Sequence, residues 1–123
     1  ILITGATGLS GHFVVLELLR HGYAVRGLAR ASSADKLAAL GVDVAIGDLA
    51  DADSLRHACD GVDGIVHAAC TFSDSTVDIA AMQALLDGWQ SGPFVFFSSL
   101  DVYGFSPAPL IDEQTPLDEG HND

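Results

Sequence analysis

Three glycines, Gly5, Gly8 and Gly11, fall at spacings of three between a short apolar run and an amphipathic segment. The run Ile1-Leu2-Ile3-Thr4 is mostly β-branched and stops at Gly5, which predicts a buried strand. From Leu9 the pattern turns helical. Leu9, Phe13, Leu16 and Leu19 approximate a period of about 3.6 residues, the stripe expected of a helix on a core, and Gly22 supplies its stop. A strand, a glycine turn and a helix in that order suit a tight turn, a close backbone approach to a ligand and close helix–strand packing. The helix N-terminus then offers free N–H groups and the positive end of its dipole to a pyrophosphate. That mechanism needs no lysine. A P-loop is excluded, because no Gly-Lys-Ser/Thr follows. The competing reading is a purely structural glycine loop.

The rest of the chain keeps the same alternation. Ala24 to Ala29 reads as a second strand. Ser32 or Ser33 is placed to cap a helix over Asp35 to Leu40, ended by Gly41. Val42 to Ile46 is a third strand, followed by Gly47-Asp48-Leu49. Asp51 or Asp53 is placed to cap a helix through Leu55, Ala58 and Cys59. Gly64 to Ala68 is a fourth strand, and a polar loop from Thr71 to Ser75 leads into another helix. There Met82, Leu85, Leu86 and Trp89 share one face, and core packing is their expected role. Phe94 to Phe97 is a fifth strand, apolar throughout, as a strand covered on both faces should be. Short apolar strands separated by helices imply a parallel sheet, because parallel neighbours need crossover connections. Right-handed crossovers then give an α/β fold, a doubly wound parallel sheet of the Rossmann type with about five strands. A dinucleotide-binding unit is expected over 1–104. The Pro- and acid-rich stretch 105–123 is expected to begin a loop toward a missing C-terminal substrate part, since both ends of the sequence read as those of a fragment.

Charge narrows the partners. The net charge is −12, and all five basic residues (Arg20, Arg26, Arg30, Lys36, Arg56) fall in the first 56 positions. The remaining 67 positions carry eleven acids and no Lys or Arg. A basic face for nucleic acid is missing, and any side-chain site for an anion must draw on the first part. No apolar run reaches the length needed to span a bilayer, so neither nucleic acid nor membrane is expected as a partner. Cys59 and Cys70 lack metal-ligand spacing and read as reduced thiols of a cytoplasmic protein, with no metal site.

Four segments together carry a resemblance. Thr4-Gly5-Ala6-Thr7-Gly8-Leu9-Ser10-Gly11 resembles the TGxxGxxG signature of the extended short-chain dehydrogenase/reductase family, the NAD(P)-dependent epimerases, dehydratases and reductases. Asp48-Leu49 resembles the family's Asp-Leu/Val pair, whose carboxylate sits by the adenine amino group. His67-Ala68-Ala69 resembles the HAA segment that lines the cofactor ribose and pyrophosphate. Ser98-Ser99-Leu100-Asp101-Val102-Tyr103-Gly104 resembles the SS-x-x-VYG segment. The resemblance implies cofactor contacts from Thr4, Gly5, Thr7, Gly8, Leu9, Gly11, Arg30, Asp48, Leu49, Ala68, Ala69 and Ser98. It makes Ser99 the hydroxyl that orients a substrate oxygen, with Ser98 as the adjacent alternative. Each position also has a plain reading: Asp48 as a helix cap, His67 as a satisfied core histidine, Tyr103 as packing at a strand end.

NAD-selective sites place an acid at the end of the second strand, and NADP sites an arginine nearby. Here that strand reads Val25-Arg26-Gly27-Leu28-Ala29-Arg30, with no acid at its end. It resembles the V-R-x-x-x-R strand of the family's NADP-using reductases. Arg30 is the expected 2′-phosphate contact, with Lys36 or Ser32 as helpers, so NADP is favoured and NAD is the alternative.

The family's catalytic Tyr-x-x-x-Lys is absent from these residues. No Lys follows Lys36, Tyr103 is the last Tyr, and four residues after Tyr103 stands Pro107. The span from His67 to Ser98 is also shorter than in the family, and Asp78 falls where an asparagine is common. The stretch is therefore expected to bind dinucleotide without catalysing. A longer parent is expected to be an NADP-dependent oxidoreductase or a sugar-nucleotide-type epimerase or dehydratase, acting on a small molecule. The alternative is a non-catalytic, dinucleotide-sensing regulator of the same fold. The sequence leaves open whether the chain forms a homo-oligomer.

Overall fold

The computed structural model describes residues 1–105 and 110–118. Pro107 and residues 119–123 lie outside them.

Five strands form one parallel sheet: β1 Leu2–Thr4, β2 Arg26–Ala29, β3 Asp43–Ile46, β4 Ile65–His67 and β5 Phe94–Phe96, in the order β3-β2-β1-β4-β5. The connections are α1 Leu9–Arg20, α2 Ala34–Ala38, α3 Ala52–Ala58 and α4 Ser75–Gly88. Single 3₁₀ turns at Ala31–Ser33 and Leu100–Tyr103 complete the described elements. The strand order reverses direction at β1, which is the topological switch point where open α/β sheets bind ligands.

Side chains alternate across the sheet, so consecutive residues of β1 feed two cores. Leu2 joins Leu28, Leu55, Ile65 and Leu85 on the face covered by α3 and α4. Ile3 joins Ala6, Val15, Val25 and Leu37 on the face covered by α1 and α2. Thr4 stands level with His67 across the β1–β4 ladder.

Three expectations about burial change. The predicted stripe of α1 is split: Leu9 is 82% exposed and Phe13 62%, Leu19 packs against the core, and Gly11 and Val15 are buried. The cause is Gly11, where an added Cβ would collide with the Gly5 carbonyl oxygen. With Gly11 pressed on the turn, Phe13 is carried to about the opposite side at roughly 100° per residue. The stripe of α4 is half correct. Leu85 is fully buried, but Leu86 and Trp89 are only partly covered, at 41% and 42% exposed, because α4 meets α3 through Ala81, Ala84 and Gly88. A Cβ on Gly88 would stand 3.0 Å from the Cys59 Sγ, so small residues face the close neighbour. Finally β5 is the sheet edge of the described residues, and Val95, Phe96 and Phe97 are each 43–51% exposed instead of covered on both faces.

Candidate functional site

A cleft of about 470 Å³ opens at the C-terminal ends of β1 to β4. Gly5, Thr7 and Gly8 line it from the first loop, and Leu28, Ala29, Arg30 and Ser33 from the end of β2. Gly47, Asp48 and Leu49 line it after β3, and Ala68 through Phe72 after β4.

The glycine loop is shaped by close approach. Gly5 has φ +73°, and a Cβ there would stand 2.8 Å from the Ala69 nitrogen and 2.9 Å from the Ala68 carbonyl. Only glycine combines that left-handed backbone with that proximity. Gly8 differs, since a Cβ on it would meet only the Gly5 oxygen, at 3.2 Å. The room it leaves faces the cleft, not protein. Gly8 also caps α1 without any side-chain hydrogen bond, and the first turn carries no acid. By contrast α3 and α4 are capped by Asp51 and Asp74, each accepting two backbone N–H bonds. The N-terminus of α1 thus keeps its first-turn N–H groups for an acceptor in the cleft.

Thr4 is fully buried beneath this loop. Its Oγ1 accepts a bond from the Ala69 N–H at 3.3 Å and lies 2.6 Å from His67 Nδ1. The hydroxyl donates to Nδ1 when the ring proton sits on Nε2 and accepts when it sits on Nδ1. Burial pushes the His67 pKa down, with Asp78 pulling weakly the other way. Thr4 therefore supports the cleft from below and does not line it. Gly11 is likewise buried behind the loop, and the Leu9 side chain points into solvent.

The two arginines of β2 part company. Arg26, at the start of the strand, pairs with Asp43 at 2.7 Å and donates to the Ala58 and Asp60 carbonyls. Arg30, at its end, lines the cleft, is exposed, and has no ion pair among the described residues. The neighbouring Ser33 donates to the Arg30 carbonyl at 3.2 Å instead of capping α2. Ser33, not Ser32, reaches the cleft. Asp48 lines the cleft with one carboxylate oxygen accepting from the Ala50 N–H at 2.9 Å, and α3 takes its cap from Asp51. The helix-cap reading of Asp48 is thereby set aside.

Ser98 and Ser99 do not line the cleft. Ser99 caps the 3₁₀ turn, accepting from the Asp101 N–H at 3.2 Å and donating to its carboxylate at 2.9 Å. Tyr103 is half-buried at the end of that turn.

Sequence reasoning missed Cys70, Thr71 and Phe72 as cleft residues. Their only signal is position, directly after Ala68-Ala69. Asp78 ties this segment down, its carboxylate accepting from the Thr71 N–H at 2.8 Å and from the Thr71 hydroxyl at 2.9 Å. Among the described residues no cluster of His, Cys, Asp and Glu is placed to hold a metal, and no helix is long and apolar enough to cross a membrane.

An uncapped helix end, room at Gly8 and an exposed arginine at the end of the neighbouring strand fit an extended anionic ligand with two phosphate positions. Comparison with known proteins agrees with that geometry. The model of the NAD dependent epimerase/dehydratase family matches residues 1–122. A photosystem II assembly factor of Cyanophora paradoxa is 32% identical over 128 residues, which covers 97% of this chain and 40% of that protein. A short-chain dehydrogenase/reductase superfamily protein from Agrobacterium tumefaciens, solved with bound NAD, is 30% identical with a TM-score of 0.75. The match covers 95% of this chain and 38% of that one. The triphenylmethane reductase of Citrobacter sp., solved with NADP(H), is 28% identical with a TM-score of 0.61, over 71% of this chain and 32% of that one. The chain thus spans two fifths or less of the length of each of these relatives.

Proposed function

Because the chain belongs to the NAD dependent epimerase/dehydratase family, we propose that its cleft holds an NADP-type dinucleotide as the cofactor unit of an extended short-chain oxidoreductase or epimerase. The bound cofactor supplies a nicotinamide ring that exchanges hydride. The chain's own residues bind and orient it. First-turn N–H groups of α1, beside Gly8, take the pyrophosphate. Gly5 and the Ala68-Ala69 segment form the floor under it. Asp48 and Leu49 take the adenine end, and Arg30 the 2′-phosphate. Residues 1–104 carry this unit, and its two free thiols, Cys59 and Cys70, favour a reducing, cytoplasmic setting.

The observation that carries the NADP reading is Arg30, exposed in the cleft and without an ion pair among the described residues, where an NAD site would present an acid. Calorimetric titration with NADPH and NADH tests it. Arg30→Asp is expected to weaken NADPH binding by about 10- to 100-fold, the worth of a charge-assisted phosphate contact, and to leave NADH within about threefold. An unchanged NADPH-to-NADH ratio overturns the assignment.

A second reading, a regulator that binds dinucleotide without turnover, is favoured by Ser99. Its hydroxyl, the family's substrate-orienting group, is already engaged by Asp101.

A further inference from the structure

Phe72 is the one non-glycine among the described residues with a left-handed backbone, at φ +60°. A bulky side chain pays for that conformation, which glycine or asparagine adopts far more readily. Its phenyl ring recovers nothing from the fold: Phe72 is 96% exposed. The backbone on either side is nonetheless held firmly. Thr71 is bonded through both its N–H and its hydroxyl to the Asp78 carboxylate, at 2.8 and 2.9 Å. The Asp74 N–H donates to the Thr71 hydroxyl at 3.0 Å, and Ser73 donates to the Thr71 carbonyl at 3.4 Å. Strain of this kind persists where the surroundings over-determine it, and it concentrates at ligand sites. Phe72 also lines the cleft.

Its place along the cleft follows from the strand order. Arg30 and Asp48 stand at the ends of β2 and β3, the glycine loop at the end of β1, and Phe72 beyond the end of β4. With the pyrophosphate over the glycine loop and the 2′-phosphate at Arg30, the adenosine half extends toward β3. The other half then extends toward β4. We infer that Phe72 is the contact for the nicotinamide half of the dinucleotide, an aromatic face held at the mouth of the cleft by the Thr71–Asp78 clamp. This inference rests on the dinucleotide reading above. The ring's exposure in the free protein is its readiness for a planar, apolar-faced partner.

The test uses two probes, NADPH and adenosine 2′,5′-bisphosphate, which is the adenosine half alone. Phe72→Ala is expected to weaken NADPH about three- to tenfold, the range of an aromatic contact, while leaving the bisphosphate within about twofold. Phe72→Tyr should restore NADPH binding, and Phe72→Ala should lower the nicotinamide fluorescence enhancement of bound NADPH. Because the ring is exposed, the melting temperature of the ligand-free alanine variant should not fall. Loss of both probes equally, or of neither, overturns the role of Phe72 while leaving the cleft as the dinucleotide site. If the wild-type protein binds neither probe, the reading of the cleft itself fails, and this inference with it.

Discussion

Thr4 and His67 form a polar joint inside an otherwise apolar core of the described residues. The parallel register sets them level, and both are buried. The Thr4 hydroxyl accepts from the Ala69 N–H and shares a hydrogen bond with His67 Nδ1, so the imidazole sits in a buried setting that disfavours its charged form. His67 also stacks on Phe96, at 5.5 Å between ring centroids. The folded pKa of His67 is lowered, chiefly by burial. Below the ordinary histidine value the unfolded chain therefore binds a proton that the folded chain refuses. The stability from the neutral joint is present in full above about pH 6.5 and is lost as the pH falls through and below that value. Thermal melts from pH 7.5 to pH 5 should show a falling midpoint. His67→Asn, which keeps an acceptor for Thr4 and does not titrate, should flatten that slope. An equal slope in both proteins would remove His67 from the account. Of the residues that line the cleft through backbone position, Gly5 and Gly8 were legible from their spacing, and Ala68 and Ala69 from the resemblance of their segment to the family's. Phe72 was not, since its conformation is imposed by Asp78, which lies outside its own loop.

The elements show how capping and packing divide the work. Asp74 accepts from the Thr76 and Val77 N–H groups at 3.0 and 3.3 Å and sets the first turn of α4. That turn carries Asp78, which clamps the cleft segment through Thr71. Asp74→Ala is expected to cost about 1 kcal/mol of stability, the usual worth of an N-cap. Denaturant titration checks this, and a midpoint within error of the parent would contradict it. Element type and order follow from the alternation of apolar runs, and all five strands stand where the sequence places them. Helix phase does not follow so simply. Large apolar residues define a stripe in the sequence, yet close backbone approach selects small residues inward: Gly11 against Gly5, and Ala81, Ala84 and Gly88 against α3. Leu9, Phe13 and Leu16 of α1 then turn outward, while Val15, Leu18 and Leu19 face the core. The signal was present in the glycines, whose spacing fits the inward face, and it lost to the louder pattern of leucines.

At the scale of the whole molecule, an acidic surface and an apolar sheet edge act against each other. The net charge is −12, and the ion pairs of the described residues engage Arg20, Arg26 and Arg56, which leaves most carboxylates uncompensated. Mutual repulsion of those charges destabilises the compact state and also keeps copies of the chain apart. Along β5, Val95 and Phe96 are about half exposed on a strand whose outer edge has no neighbour among the described residues, and such an edge is a template for pairing. Salt acts on both terms at once, because the screening length falls from about 10 Å at 0.1 M to about 3 Å at 1 M. Raising sodium chloride across that range should therefore raise the melting temperature of the dilute protein and, at higher protein concentration, increase light scattering. Val95→Lys places a charge on the exposed edge and should suppress the scattering at the same salt while leaving the salt-driven rise in melting temperature in place. A melting temperature that falls with salt would mean that the few ion pairs outweigh the general repulsion. Scattering unmoved by Val95→Lys would locate the association away from β5, with the exposed Leu9 and Phe13 of α1 as the next surface to charge.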